Sequence, residues 1–201
     1  MKDQILEKAT DLFLNLGFKS VTMDDLAEQM GISKKTIYAH FGNKTELVEQ
    51  CTLSLFEKIA HGIGCICDQD KNPIEELYEI KRFALLNLKN EKSSPQHQLK
   101  KYYPQIYSTL HQKQYEMMQE CVRENLVRGM EQGIYRQNLN VDFVSRIYFS
   151  GVTSLKDDAL FPRHAFPMVS LMEEYLEYHL RGIVTPQGRA ILNTIINSNF
   201  D

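Results

Sequence analysis

Apolar residues recur at three- and four-residue spacing along almost the whole chain, which is the spacing of one face of an α-helix. In the N-terminal part, this spacing predicts a first helix that ends at Gly17 and a second that runs from Thr22 to Gly31. A short third helix is predicted from Ser33 and a longer fourth from Asn43. Thr, Ser and Asn are good N-caps, and glycine suits the left-handed conformation that ends many helices.

The rest of the chain continues the helical pattern. Gly62 and Gly64 are expected to loosen or end the fourth helix, and the polar stretch 90–98 is expected to be a loop. No strand-like alternation of any length is present in the sequence. We therefore predict an all-α protein, with further helices over 74–88, 104–132, 142–155, 166–180 and 186–196.

Composition is typical of a globular protein, with 43% hydrophobic and 24% charged residues in 201. No run approaches the roughly 18 apolar residues of a membrane span, and the first residues lack the apolar core of a signal peptide. We expect a cytoplasmic protein that does not bind membranes. The four cysteines (Cys51, Cys65, Cys67 and Cys121) are then expected to be reduced thiols.

The net charge of −3 is unevenly distributed. No acidic residue lies between Glu28 and Glu46, whereas Lys34, Lys35 and Lys44 do. Only the surface that touches phosphate has to be positive in a nucleic-acid-binding protein. The pattern therefore predicts a local basic patch.

The same segment has the features of a helix-turn-helix. Two short helices joined at a bend need a small residue where they cross, a glycine at the turn and an apolar plug in the second helix. Ala27, Gly31 and Ile37 fill these three roles. In this motif the second helix enters the major groove of DNA.

Helix geometry divides the third helix into two sides. At roughly 100° per residue, Ile37 and Phe41 mark the inner side, so that Lys35, Thr36 and Ala39 point outward. These three are candidates for base edges: Lys35 for guanine acceptors, Thr36 for either kind of partner and Ala39 for a thymine methyl group. The predicted contacts to the DNA backbone are Thr22, Ser33, Lys34, Tyr38, His40 and Lys44.

The residues that carry a family resemblance are Gly17-Phe18, Thr22, Leu26-Ala27, Gly31-Ile32-Ser33, Ile37-Tyr38, Phe41 and Lys44. With them, the run from Ile5 to Leu47 resembles the DNA-binding head of the TetR (tetracycline-repressor) family. Lys35 departs from the glycine that the family often has after the first residue of its recognition helix. We expect that difference to alter the operator sequence without abolishing binding.

The resemblance implies a homodimer that binds palindromic double-stranded operator DNA and is released by a small molecule. Each subunit would have a three-helix head, 1–46, and a larger helical body for effector binding and dimerisation, 47–201. In that scheme, an effector in the body tilts the helix that starts at Lys44 and changes the separation of the two heads. Helices 142–155 and 166–180 would form a four-helix dimer interface.

An aromatic and methionine-rich stretch around 102–121 is either plain core or part of an effector pocket between helices. Such a pocket would favour an apolar or aromatic ligand with one or two hydroxyl groups. The candidate lining residues are Phe83, Tyr103, Tyr107, Met118, Cys121 and Phe149.

Other functions have less support in the sequence. Cys65 and Cys67 with His61 do not suit a metal ion, because Cys67 lies about 200° around the helix from Cys65. The sequence has no Gly-x-Ser-x-Gly, His-Glu-x-x-His or glycine-rich dinucleotide motif. We therefore expect no enzyme, no catalytic residues, no metal and no cofactor. The alternatives are a regulator whose pocket is degenerate and a helical interaction scaffold that has lost DNA or effector binding.

Overall fold

The computed structural model describes residues 1–87 and 95–198, which are helical with connecting turns. Within those ranges, the one strand-type pairing is an isolated antiparallel bridge between Tyr135 and Val184. The predicted all-α class is confirmed. The helices are α1 Lys2–Leu16, α2 Met23–Met30, α3 Lys34–Tyr38, α4 Lys44–Cys67, α5 Pro73–Asn87, α6 Pro95–Tyr102, α7 Pro104–Glu131, α8 Val141–Ser154, α9 Met168–Ile183 and α10 Pro186–Ser198.

The second helix begins and ends at its predicted caps, and the third begins at its predicted cap. The Thr22 hydroxyl accepts the Asp25 backbone N–H at 3.1 Å, and the Asp25 carboxylate accepts the Thr22 N–H at 2.8 Å, which completes a capping box. Gly31 ends α2 in the left-handed conformation, with φ of 63°. The Ser33 hydroxyl then caps α3 by accepting the Thr36 N–H at 3.1 Å. Local side-chain chemistry therefore fixes these two helices.

The prediction that α4 loosens or ends at Gly62 or Gly64 is wrong, because the helix continues to Cys67. A Cβ atom at position 62 would lie 2.1 Å from Cζ of Phe83, so glycine lets this ring pack directly on the helix backbone. A glycine inside a helix costs about 1 kcal/mol relative to alanine, and the ring contact helps to offset that cost.

The predicted loop is also wrong for residues 95–98, which form the start of α6. Pro95 occupies the first helical position, where the N–H that proline lacks would have no partner within the helix. Pro95 and Leu99, one turn apart, are both buried. Residues 90–94 of the predicted loop, and residue 88 at the predicted end of α5, lie outside the described residues.

The chain divides into two compact units. The first contains Met1–His61 and the described part of Asn87–Gln114, and the second contains Gly62–Leu86 and the described part of Tyr115–Asp201. Since α4 runs from the first unit into the second, the predicted functional boundary after residue 46 stays a prediction. No helix within the described ranges combines the length and the apolar character that crossing a membrane would require.

The core of the first unit joins α1–α4 to α6 and the start of α7. Its fully buried side chains include Ile5, Phe13, Leu26, Ile37 and Phe41. The rings of Phe13 and Phe18 lie 5.1 Å apart, so Phe18 folds back on the end of α1.

The second unit buries a polar network beside its apolar core. Glu76 is 1% exposed and pairs with Arg128. The Asn125 amide donates to Glu76 at 2.8 Å and to the Pro73 carbonyl at 2.9 Å, while the Tyr135 hydroxyl donates to Asn125 at 3.1 Å. A buried carboxylate is tolerated where it is paired and hydrogen-bonded in this way. The network ties α5 to α7 and to the residues that follow α7.

Candidate nucleic-acid interface

The turn between α2 and α3 places the third helix on the surface of the first unit. The left-handed Gly31 donates its N–H to the Glu28 carbonyl at 3.1 Å, and Ile32 donates to the Ala27 carbonyl at 3.1 Å. Ile37 is completely buried and anchors α3 from below. Gly31 and Ile37 therefore fill two of the predicted structural roles, and Ala27, predicted to lie where the helices cross, is buried.

The outward face of α3 carries most of the residues predicted to contact DNA. Lys34, Lys35 and Tyr38 are exposed, as are Ala39 and His40 just beyond the last helical residue. Ala39 keeps helical backbone geometry, and its N–H donates to the Lys35 carbonyl at 3.0 Å. The exposed face of α3 therefore carries two lysines, the aromatic ring of Tyr38 and the methyl group of Ala39.

Thr36 is less available than its helical position predicts. It is half-buried, and its hydroxyl lies 2.8 Å from the Ser33 hydroxyl that caps the helix. The bond to Ser33 occupies one hydrogen-bonding position of the Thr36 hydroxyl, which has one donor and two acceptor positions. Ser33 itself is exposed and already accepts the Thr36 N–H.

The two adjacent lysines of α3 differ in their electrostatic environment. The Lys34 ammonium pairs with the Asp24 carboxylate of α2 at 2.8 Å, and that hydrogen bond raises the pKa of Lys34. Lys35 is exposed and forms no ion pair with any residue in 1–87 or 95–198. The basic patch predicted from the local sequence is therefore partly neutralised at Lys34 and available at Lys35.

The remaining predicted phosphate contacts lie at helix starts. The exposed Thr22 hydroxyl donates to the Asp25 carboxylate at 2.8 Å, and the hydrogen bonds from Thr22 lower the pKa of Asp25. Lys44 begins α4 and is half-buried. Burial lowers the pKa of Lys44, while the Asp25 carboxylate acts in the opposite direction.

The six residues predicted to line an effector pocket are divided between the two units. Tyr103 and Tyr107 pack against the core of the first unit. In the second unit, Met118 packs against the core, and the buried Phe149 ring lies 5.2 Å from the Tyr115 ring. Phe83 contacts Gly62, and Cys121 lies beside Cys67. A single pocket lined by all six stays a prediction.

A charged groove in the second unit was missed by the sequence reasoning. It has a volume of about 530 Å³ and contains none of the six residues. Lys81 lies in its wall, pairs with Glu173 and sits 4.6 Å from the centre of the Tyr78 ring. Burial lowers the pKa of Lys81 to about 8, and the Arg82 cation adds to that effect. Lys81 and Glu173 are 92 residues apart, so no local sequence pattern predicts this ion pair.

This geometry defines a class of protein: a helical chain whose N-terminal unit presents a capped helix-turn-helix with an exposed second helix. Residues 5–51 match the family described as bacterial regulatory proteins, tetR family. Residues 5–51 are therefore similar to the N-terminal part of TetR-family regulators, as the resemblance of these residues predicts.

Two curated relatives illustrate how far the similarity extends. The "Biofilm operon icaADBC HTH-type negative transcriptional regulator IcaR" of Staphylococcus aureus strain Newman is 32% identical over 80 residues, which are 40% of this chain. That match spans 43% of the relative, less than half of its length. The "HTH-type transcriptional repressor KstR2" of Mycolicibacterium smegmatis is 24% identical over 196 residues, covering 93% of this chain and 92% of the relative.

Solved structures show the same fold. A TetR-family transcriptional regulator from Agrobacterium tumefaciens superposes with a TM-score of 0.74 at 18% identity, covering 92% of this chain and 97% of the other. The ketosteroid transcriptional regulator KstR2 of Mycobacterium tuberculosis gives a TM-score of 0.61 at 22% identity, covering 92% of this chain and 95% of the other. At these identities the likeness concerns the fold.

Proposed function

We propose that this protein is a cytoplasmic transcriptional repressor, without enzymatic activity, that binds a palindromic operator as a homodimer. The observation that carries the proposal is the exposed face of α3, with Lys35 outside any ion pair in the described ranges. A lysine in the major groove suits the O6 and N7 acceptors of guanine. The names of the two curated relatives, a negative regulator and a repressor, favour repression over activation.

Exposed apolar residues on α8 and α9 support dimerisation through these helices. On α8, Phe143 is 60% exposed and Ile147, one turn later, is 49% exposed. On α9, Val169 is 63% and Tyr178 is 77% exposed. Large apolar side chains on two adjacent helices favour burial against a second copy, which would complete a four-helix interface. A symmetric dimer would place its two α3 helices for half-sites one helical turn apart, roughly 34–36 Å.

A buried polar group on α7 supports an effector site in the second unit. The Gln119 amide oxygen accepts the Ser145 hydroxyl at 2.9 Å, but the Gln119 amide nitrogen is buried without a hydrogen-bond partner in the described part of the chain. Buried donors usually have a partner. Gln119 is adjacent to Met118 and two residues from Cys121, so an apolar ligand with one hydroxyl or carbonyl oxygen would suit this part of α7.

The proposal is tested by selecting bound fragments from random duplex DNA with the purified full chain. We expect a palindrome with the wild type, a changed base preference with Lys35→Ala, and uniformly weaker binding with Tyr38→Ala. Lys58→Ala is a matched control: Lys58 is exposed on α4, and its position 14 residues beyond Lys44 is about 21 Å along the helix. It should leave the selected motif and the affinity unchanged.

Two outcomes would count against the proposal. If no motif emerges at low salt, where phosphate contacts are strongest, the interaction-scaffold alternative is favoured. If Lys35→Ala and Lys58→Ala behave alike, α3 does not read the bases.

A melting screen with apolar and aromatic compounds tests effector binding separately, because a ligand of the folded state raises the melting temperature by mass action. A screen without any hit would favour a degenerate pocket.

A further inference from the structure

Two cysteines that are distant in the sequence meet in the second unit. Cys67 is the last residue of α4, and Cys121 lies in the middle of α7, 54 residues later. Their sulfur atoms are 3.3 Å apart, in a hydrogen bond that either thiol can donate. Both side chains are partly buried. A disulfide has an S–S distance of about 2.05 Å, so the sulfurs need to approach by roughly 1.2 Å.

We propose that Cys67 and Cys121 form an oxidant-sensitive thiol pair, which hydrogen peroxide converts into an intramolecular disulfide between α4 and α7. The Cys67 thiol first loses its proton to solvent, and the thiolate attacks a peroxide oxygen. The O–O bond breaks, Cys67 becomes a sulfenic acid, and the leaving hydroxide takes a proton from solvent as the first water. The Cys121 sulfur then attacks the sulfenic sulfur, the S–OH bond breaks, and the leaving hydroxide takes the Cys121 proton as the second water. The two thiols lose two electrons and two protons, and one peroxide becomes two waters.

The difference in burial between the two thiols favours Cys67 as the residue that is oxidised first. Burial raises the pKa of both thiols, and it raises that of Cys121 far more. On α7, the Arg128 cation acts against the increase at Cys67, while Glu76 of α5 and Glu124 of α7 add to it. Since the thiolate is the reactive form, oxidation should be slow at neutral pH and should accelerate by up to about tenfold per pH unit.

The disulfide would attach the last turn of α4 to α7 covalently. The same helix begins at Lys44, beside the capping box of α2. If the proposed function is correct, restraint of α4 at Cys67 changes DNA affinity, and oxidation then becomes an input to the repressor. That regulatory consequence rests on the proposed function, whereas the formation of the disulfide does not.

The experiment uses the reduced full chain, treated with hydrogen peroxide, then alkylated and digested without reductant for peptide mapping by mass spectrometry. The wild type should lose two of its four thiols and yield a peptide that links Cys67 to Cys121. Cys65→Ser is the matched control, because Cys65 is an exposed cysteine on the same helix. It should give the same cross-link, whereas Cys67→Ser and Cys121→Ser should not.

The result that overturns the proposal is oxidation of the wild type without this cross-link, whether the product is sulfinic acid or an intermolecular dimer. Mapping of the wild type decides the point even if a serine variant folds poorly. A reductant-sensitive increase in melting temperature should accompany the cross-link and be absent in Cys121→Ser. If the disulfide forms but neither redox state binds any DNA fragment, the proposed function fails and the thiol pair stands.

Discussion

Gly31 and Gly64 provide a matched test of how the helix-turn-helix is fixed. A Cβ atom added at either position would meet no heavy atom within 4 Å, so neither Gly31→Ala nor Gly64→Ala creates a clash. The two differ in backbone conformation, because Gly31 has φ of 63° and Gly64 lies inside α4. Alanine in the left-handed conformation costs about 1–2 kcal/mol, partly offset by about 0.4–1 kcal/mol from the less flexible unfolded chain.

We therefore expect Gly31→Ala to lower the free energy of unfolding by about 1 kcal/mol. Gly64→Ala should raise it by about 0.5–1 kcal/mol, because alanine is the better helix former. Urea unfolding at a fixed protomer concentration measures both changes, and the fixed concentration removes any contribution from association. Gly31→Asn should recover part of the loss, since asparagine tolerates the left-handed conformation.

Changes in stability in the same direction for the two alanine variants would refute this explanation of the turn. A neutral Gly31→Ala would refute it too, because the left-handed turn would then impose no requirement on the residue. A loss of DNA affinity in Gly31→Ala at a temperature where it is fully folded would link the turn to the placement of α3.

Three further predictions test other parts of the molecule. Lys35→Ala should change the base preference of the protein, whereas Tyr38→Ala should weaken its binding to all DNA sequences alike. Binding-site selection distinguishes these two effects. Burial lowers the pKa of His179 from 6.5 to about 4. Between pH 6.5 and about 4, the unfolded state therefore binds more protons than the folded state. Up to about 3 kcal/mol of folding stability is lost as the pH falls through this range. Unfolding at pH 7 and 4.5 should show that loss in the wild type but not in His179→Phe. Closing the 54-residue loop between Cys67 and Cys121 should stabilise the oxidised chain by on the order of 4 kcal/mol, measured as the difference in urea unfolding between redox states.

The parts of the fold that the sequence predicts are those determined by neighbours along the chain. The capping box joins Thr22 to Asp25, three residues later, and the left-handed Gly31 follows directly after α2. Such contacts occur whenever the helix forms, so spacing is enough to recognise them. The errors at Gly62 and at residues 95–98 arise because packing overrides a local signal. The Phe83 ring fills the space that the missing side chain leaves, and burial of Leu99 stabilises a helix with polar composition.

The charge on the candidate DNA-binding surface depends on an ion pair that the local sequence does not predict. The acid-free stretch around Lys34 and Lys35 predicts a basic patch that includes both cations of α3. Asp24 lies ten residues before Lys34, and the turn at Gly31 brings the two side chains together. One of the two cations is therefore already paired in the DNA-free protein. A phosphate that recruits Lys34 must compete with that carboxylate, whereas Lys35 needs no such exchange. We therefore expect Lys35 to determine base preference, and Asp24→Asn to strengthen binding to all sequences without changing the selected motif.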